Sequence, residues 1–151
     1  MSDGAWVLVV ALVLATGFGV WRAASDGRFR GTHQVRGAAT VDEQQERPVS
    51  VLDGADIEHE LGERATLLQF SSAFCAPCRV TRRVLTEVAQ VVPGVAHVEV
   101  DAEHHLDLVR RLGVTRTPTT LVLDAHGREV SRASGAPQRD EVIATLARAI
   151  P

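Results

Sequence analysis

Two cysteines are the residues of this chain best suited to chemistry. They are the only cysteines among 151 residues, and they lie three positions apart in the segment Phe74-Cys75-Ala76-Pro77-Cys78. Thiols with this spacing lie on one side of the first turn of a helix, close enough to form a disulfide. A helix N-terminus favours the thiolate, which is the species that attacks disulfides. We therefore predict that Cys75 is the nucleophile and that Cys78, more buried, is the resolving thiol.

A cysteine pair could also bind zinc, attach haem or form a purely structural disulfide. A structural zinc site needs four ligands, and His97, His104 and His105 would have to complete it, so no metal site is predicted. Covalent haem attachment needs a histidine directly after the second cysteine, where this chain has Arg79. A purely structural disulfide remains an alternative. The position of the pair between a strand and a helix favours redox use.

The elements around the pair follow from hydrophobic periodicity and turn residues. Alternating or continuous apolar runs predict strands, and apolar positions three or four apart predict helices. The predicted strands cover residues 66–71, 95–100, 119–123 and 129–133, and the predicted helices cover 57–61, 77–92, 103–112 and 140–150. A strand, a helix and a strand in succession imply a parallel crossover, and the turn at 124–127 adds an antiparallel hairpin. The fold class is therefore α/β, a mixed sheet flanked by helices.

The N-terminal part of the chain has a different character. Residues 4–21 contain no charged side chain, and a helix of this length rises about 27 Å, which predicts a transmembrane helix. Arginines follow it, and the positive-inside rule predicts a single-pass protein of the cell membrane with its C-terminal domain in the cytoplasm. Residues 22–48 are predicted to be a flexible linker and 49–151 the folded domain. The formal net charge is −3, which argues against a nucleic-acid partner.

The folded part resembles the thioredoxin family from Leu67 to Ile150. The resemblance rests on LLQFSSAFCAPC, on VEVD ending at Asp101, on GVTRTPTTLVL, on DAHG and on a glycine before the last helix. It implies a thioredoxin-like fold with a cis proline, Pro118, beside the dithiol. It also implies that the backbone of Thr117 pairs with an extended substrate.

The same resemblance implies a substrate-binding surface around the pair, formed by Phe74, Ala76, Pro77, Val114 and Ala136. Three residues of this chain depart from the family pattern. Phe74 replaces the usual tryptophan, Ala76 replaces glycine, and Gln69 stands where a buried aspartate is usual. His97 stands where the family often has lysine, and Gln69 and His97 are candidates for proton transfer near Cys78, although an amide cannot titrate.

The predicted function is that of a membrane-anchored thiol–disulfide oxidoreductase that reduces protein disulfides. It would bind no cofactor, and the resemblance implies that a thioredoxin reductase, or an equivalent donor, supplies electrons. Two alternatives stay open. One is an extracytoplasmic oxidant or a reductant for cytochrome assembly, and the other is a non-catalytic binding module with a thioredoxin fold.

Overall fold

The computed structural model describes residues 3–31, 50–55, 57 and 60–150. Their elements are α1 (Asp3–Ser25), β1 (Phe29–Gly31), β2 (Ala65–Ser71), α2 (Ala76–Val91), β3 (Val95–Asp101), α3 (Leu106–Arg111), β4 (Thr119–Asp124), β5 (Glu129–Ser134) and α4 (Arg139–Ala149). The strands form a sheet in the order β1-β5-β4-β2-β3. Strands β2 and β3 are parallel, and the other neighbours are antiparallel. The predicted mixed α/β sheet flanked by helices is confirmed.

The central strand β2 is buried along its whole length because side chains pack on both faces of the sheet. On one face, Leu67 and Val122 pack with side chains of α2 and α4. On the other face, Leu68 and Leu121 pack with side chains of α3 and of the segment before β2. The two cores hold β2 rigidly, and the end of β2 is where the cysteine segment begins.

Helix α2 begins directly after Cys75 and carries Pro77 in its first turn, where a missing N–H costs no helical hydrogen bond. Its buried side chains are Cys78, Thr81, Leu85 and Val88, spaced three or four apart as an amphipathic helix requires. Pro93 and Gly94 follow its end, and Gly94 has a positive φ of 76°. The resolving cysteine therefore belongs to the buried face of this helix.

Three residues of the predicted linker form a strand. Strand β1 pairs antiparallel with β5, with Phe29 opposite Ala133 and Gly31 opposite Ser131. The sequence predicts a flexible linker over 22–48. These three residues form a strand because pairing with β5 stabilises it, although the local sequence shows no strand pattern. Residues 32–49 lie outside the described part of the chain, so the division at residue 48 stays a prediction. The short helix predicted over 57–61 also falls largely on residues outside it.

The membrane prediction needs correction. Helix α1 is present, and its described side chains run from Trp6 to Arg22. Such a stretch rises about 26 Å, against about 30 Å of hydrocarbon. Among the residues described, no helix combines the length and the apolar character that a membrane crossing requires. By this finding the predicted location, a single-pass cell-membrane protein with a cytoplasmic domain, is wrong.

Candidate active site

The cysteine pair lies at the N-terminus of α2 and forms a disulfide with an Sγ–Sγ distance of 2.01 Å. Cys75 is the N-cap residue, and its Sγ accepts a hydrogen bond from the Cys78 N–H at 3.1 Å. Cys75 is partly exposed, whereas Cys78 is only 2% exposed. An N–H aimed at Sγ of Cys75 would stabilise a thiolate there after reduction. The geometry thus gives the two sulfurs different environments, one open to a partner and one enclosed.

A second loop lies against the cysteine segment. The Thr117–Pro118 peptide bond is cis, and the hydroxyl groups of Thr117 and Ser72 are 3.0 Å apart. The carbonyl of Pro118, a buried residue, accepts a hydrogen bond from the Gly135 N–H at 2.8 Å. These contacts place the backbone of Thr117 beside the segment that leads into Cys75.

Exposed apolar residues precede and follow Cys75 in the chain. Phe74 is fully exposed, and Ala76 and Pro77 are exposed as well. Ala136 is half-buried in the loop after β5. Val114 is also half-buried, but it packs against the core cluster beneath α3. Phe74, Ala76 and Pro77 therefore flank the disulfide, whereas Val114 contributes largely to the core.

Gln69 is fully buried under the first turn of α2. Its Nε2 donates a hydrogen bond to the Cys78 carbonyl at 3.0 Å, and its Oε1 lies 3.2 Å from Nε2 of His97. Nδ1 of His97 in turn contacts the Thr86 hydroxyl at 3.1 Å. Burial lowers the pKa of His97, and the nearby Arg82 adds to that effect while Glu99 opposes it. Hydrogen bonds therefore connect His97, through Gln69, to the backbone carbonyl of Cys78.

Glu99 is a site residue that the sequence analysis did not single out. The parallel register places it beside Gln69, and Oε1 of Glu99 accepts hydrogen bonds from the Ser71 hydroxyl at 2.6 Å and from Arg82 Nη2 at 2.8 Å. Burial alone would raise the pKa of Glu99. The hydrogen bonds from Arg82 and Ser71 and the charge of Arg82 lower it by more, so the pKa of Glu99 is below its ordinary value. Glu99 is thus an ionised carboxylate near the dithiol. The sequence does carry a signal for this residue, because Glu99 lies two positions after His97 on β3 and therefore on the same face of the strand.

Two hydroxyl groups near this network have no partner among the described residues. Oγ1 of Thr81 and Oγ1 of Thr120 are both buried without a hydrogen bond. Thr81 lies one turn after Cys78 on α2, and Thr120 lies opposite Gln69 in the sheet. Such groups carry a desolvation cost that a hydrogen bond would otherwise offset.

The three histidines that a zinc site would need each have other contacts. His97 contacts Gln69, and both His104 and His105 contact Asp101. Within the described ranges, no three or more His, Cys, Asp or Glu side chains are arranged to hold a metal ion.

Comparison with known proteins agrees with the fold. The family model described as Thioredoxin matches residues 49–148. The chain belongs to the thioredoxin family. Among its relatives, Thioredoxin H-type of Fagopyrum esculentum is 32% identical, with 54% of this chain and 68% of the relative covered. Thioredoxin of Chlamydia trachomatis is 26% identical, with 66% of this chain and 97% of the relative covered.

Solved thioredoxin structures are similar as well. The thioredoxin NaTrxh of Nicotiana alata is 26% identical with a TM-score of 0.53, over 59% of this chain and 76% of that one. The thioredoxin of Fasciola hepatica is 27% identical with a TM-score of 0.52, over 58% of this chain and 83% of that one. Family membership and the Cys75–Cys78 disulfide together make this protein a thioredoxin-like thiol–disulfide oxidoreductase.

Proposed function

We propose that this thioredoxin reduces disulfide bonds in other proteins with the Cys75–Cys78 dithiol. The observation that carries the proposal is the asymmetry of the pair, with Cys75 partly exposed at a helix N-terminus and Cys78 enclosed. An accessible thiolate can attack a large substrate, and a buried second thiol can react only with the sulfur beside it. The thioredoxin relatives support this substrate class.

The reaction proceeds through two disulfide exchanges. The thiolate of Cys75 attacks one sulfur of the substrate disulfide, so a mixed disulfide forms and the other substrate sulfur leaves as a thiolate that takes up a proton. Cys78 then loses its proton and attacks Sγ of Cys75, which releases the second substrate sulfur. The substrate gains two electrons and two protons, and the Cys75–Cys78 disulfide is formed.

Binding of the substrate chain is assigned to the loop at Thr117 and Pro118. Because Thr117 lies next to the cysteine segment through Ser72, an extended substrate can pair with its backbone while its sulfur faces Cys75. Phe74, Ala76 and Pro77 supply apolar contact on one side of the sulfur. Ala136, with a smaller contribution from Val114, would supply it on the other.

His97 and Gln69 are our candidates for assisting proton loss from Cys78. Since burial lowers the pKa of His97, its imidazole is neutral near pH 7; its Nε2–H donates a hydrogen bond to Gln69 Oε1, and Nδ1, beside the Thr86 hydroxyl, is the nitrogen that can accept a proton. Gln69 does not titrate, and its amide links the imidazole to the Cys78 carbonyl. In this scheme Gln69 positions the His97 imidazole relative to Cys78.

The oxidised protein must be reduced again by an external dithiol donor. We propose that a thioredoxin reductase, or an equivalent donor, transfers two electrons to the Cys75–Cys78 disulfide. No other cofactor enters the scheme, since both electrons pass through the two sulfurs.

The test is reduction of insulin by the full chain with dithiothreitol as the electron source. We expect catalysis well above the dithiothreitol background, loss of it in Cys75→Ser, and a mixed disulfide between Cys78→Ser and insulin on a non-reducing gel. Replacing dithiothreitol with NADPH and a thioredoxin reductase tests the donor. Wild-type activity at the background level, or full activity in Cys75→Ser, would overturn the proposal.

A further inference from the structure

A short segment before β1 is docked against the loops of the active site. We name residues 26–31 the strap, since they run from the end of α1 along strand β5 and include the edge strand β1. The Gly27 N–H donates a hydrogen bond to the Ser134 carbonyl at 2.8 Å, just before Gly135 and Ala136. The strap therefore contacts the loop that follows β5, which is one side of the proposed substrate-binding surface.

The contact is too close for ordinary side chains. Gly27 is buried with φ at 78°, and a Cβ on it would lie 2.3 Å from the Ala136 carbonyl oxygen. Gly135 has φ at 98°, and a Cβ on it would lie 3.0 Å from the Gly27 nitrogen. Two glycines with positive φ thus allow backbone to pack directly on backbone. Packing of this kind fixes the strap and the loop relative to each other.

Arg116 joins the strap to the second loop of the site. Its Nη2 donates to Asp26 Oδ1 at 2.8 Å and to the Ser134 carbonyl at 2.9 Å. The Arg116 carbonyl accepts a hydrogen bond from the Thr119 hydroxyl at 2.8 Å. Since Arg116 directly precedes Thr117, these bonds hold the start of the proposed substrate-binding loop at both its side chain and its backbone.

We propose that Arg116, held by Asp26 of the strap, is a positioning residue for protein substrates. The proposal rests on the proposed function, because it assigns Thr117 and Ala136 to substrate binding. The Asp26–Arg116 pair joins the two loops that would flank an extended substrate chain. A small disulfide reacts at the sulfur alone and does not need both loops at a fixed separation. The pair should therefore affect the binding of protein disulfides and leave the reaction at Cys75 unchanged.

The effect should be moderate because both side chains are about two-fifths exposed. Ion pairs at such positions contribute modestly, and their removal should raise KM by about three- to fivefold. The value of kcat, set by the two sulfurs, should change by less than about twofold. Arg116→Lys keeps a positive charge that can reach Asp26, so its KM should lie between that of wild type and that of Arg116→Gln.

The experiment compares full-length wild type with Asp26→Asn, Arg116→Gln, the double variant and Arg116→Lys. The matched control is Asp107→Asn with Arg110→Gln, an exposed ion pair on α3. Insulin and a small aromatic disulfide are the two substrates. Hydrogen exchange at the Gly27 and Gly135 N–H groups reports the strap contact without any assay of activity.

We expect a higher KM for insulin, an unchanged rate with the small disulfide, a double variant no worse than either single variant, and faster exchange at Gly27 and Gly135. Unchanged KM and unchanged exchange in Arg116→Gln would overturn the proposal, as would equal effects on both substrates. If wild type itself fails to reduce insulin, the proposed function fails. In that case hydrogen exchange at Gly27 and Gly135 still tests whether Arg116 fixes the loop. Unchanged exchange in Arg116→Gln would overturn this positioning role as well.

Discussion

Replacing Gln69 with leucine should remove the link between α2 and His97 at nearly constant volume. Gln69 is fully buried, and its amide makes the 3.0 Å bond to the Cys78 carbonyl and the 3.2 Å contact to His97. Leucine fills similar space but offers neither donor nor acceptor. The perturbation is therefore the loss of these two hydrogen bonds and of a long 3.5 Å contact to Glu99, with little change in packing.

The size of the loss follows from those two bonds. Each contributes about 1 kcal/mol net, which gives roughly 2 kcal/mol for the free energy of unfolding. The Cys78 carbonyl lies in a helix, where an N–H one turn later ordinarily also bonds it, so its part stays near the lower end of the range. His97 loses its contact in a half-buried position, which limits that part as well.

Urea unfolding of the oxidised protein, followed by circular dichroism, measures this loss. Gln90→Leu is the matched control, because Gln90 lies exposed on α2 and its replacement should change stability by less than about 0.5 kcal/mol. The double variant Gln69→Leu/His97→Leu should show a coupling of about 1 kcal/mol between the two sites. If Gln69→Leu unfolds within about 0.5 kcal/mol of wild type at the same m-value, the reasoning is refuted.

Two further predictions concern buried and charged groups near the site. Thr120→Val should raise the free energy of unfolding by about 1 kcal/mol, since it removes a buried hydroxyl with no partner among the described residues. Thr119→Val should lower the free energy of unfolding by about 1 kcal/mol, because the Thr119 hydroxyl donates a hydrogen bond to the Arg116 carbonyl. Thermal unfolding of the two variants, run side by side, checks the opposite signs. The pKa of Glu99 is lower in the folded chain than its ordinary value, so its stabilising contribution is present above the unfolded pKa, near 4.3, and is lost as pH falls through the folded pKa. Glu99→Gln should therefore lose less stability than wild type between pH 7 and pH 3, and an equal loss in melting temperature would contradict the role of Arg82.

The sequence predicted those features in which local pattern and chemistry agree. The cysteine spacing gave the disulfide and its place at a helix start, and the alternation of apolar residues gave β3 to within one residue. Helix α3 is shorter than predicted, because a carboxylate oxygen of Asp101 accepts the Glu103 N–H and forms a turn before the helix begins. Local side-chain bonding of this kind competes with helix formation.

The features that the sequence did not predict depend on contacts between distant segments. Strand β1 has only three residues, and its identity as a strand comes from pairing with β5. Arg116 and Asp26 are ninety positions apart, and no pattern in either segment indicates that they meet. Such contacts are fixed by tertiary packing, which hydrophobic periodicity does not encode.

Gln69 and Glu99 are best understood together. The two side chains lie opposite each other in the parallel register, with Gln69 Nε2 at 3.5 Å from Glu99 Oε1. The aspartate that is usual at this position in the family is one methylene shorter than Gln69, so its carboxylate would face the ionised Glu99 from somewhat farther away. Two like charges about 5 Å apart repel by about 3 kcal/mol at an effective dielectric constant near 20. An amide at position 69 avoids this repulsion while keeping the bond to the Cys78 carbonyl, and Arg82 neutralises the remaining carboxylate. The departure at Gln69 therefore has its physical counterpart in Glu99, one strand away.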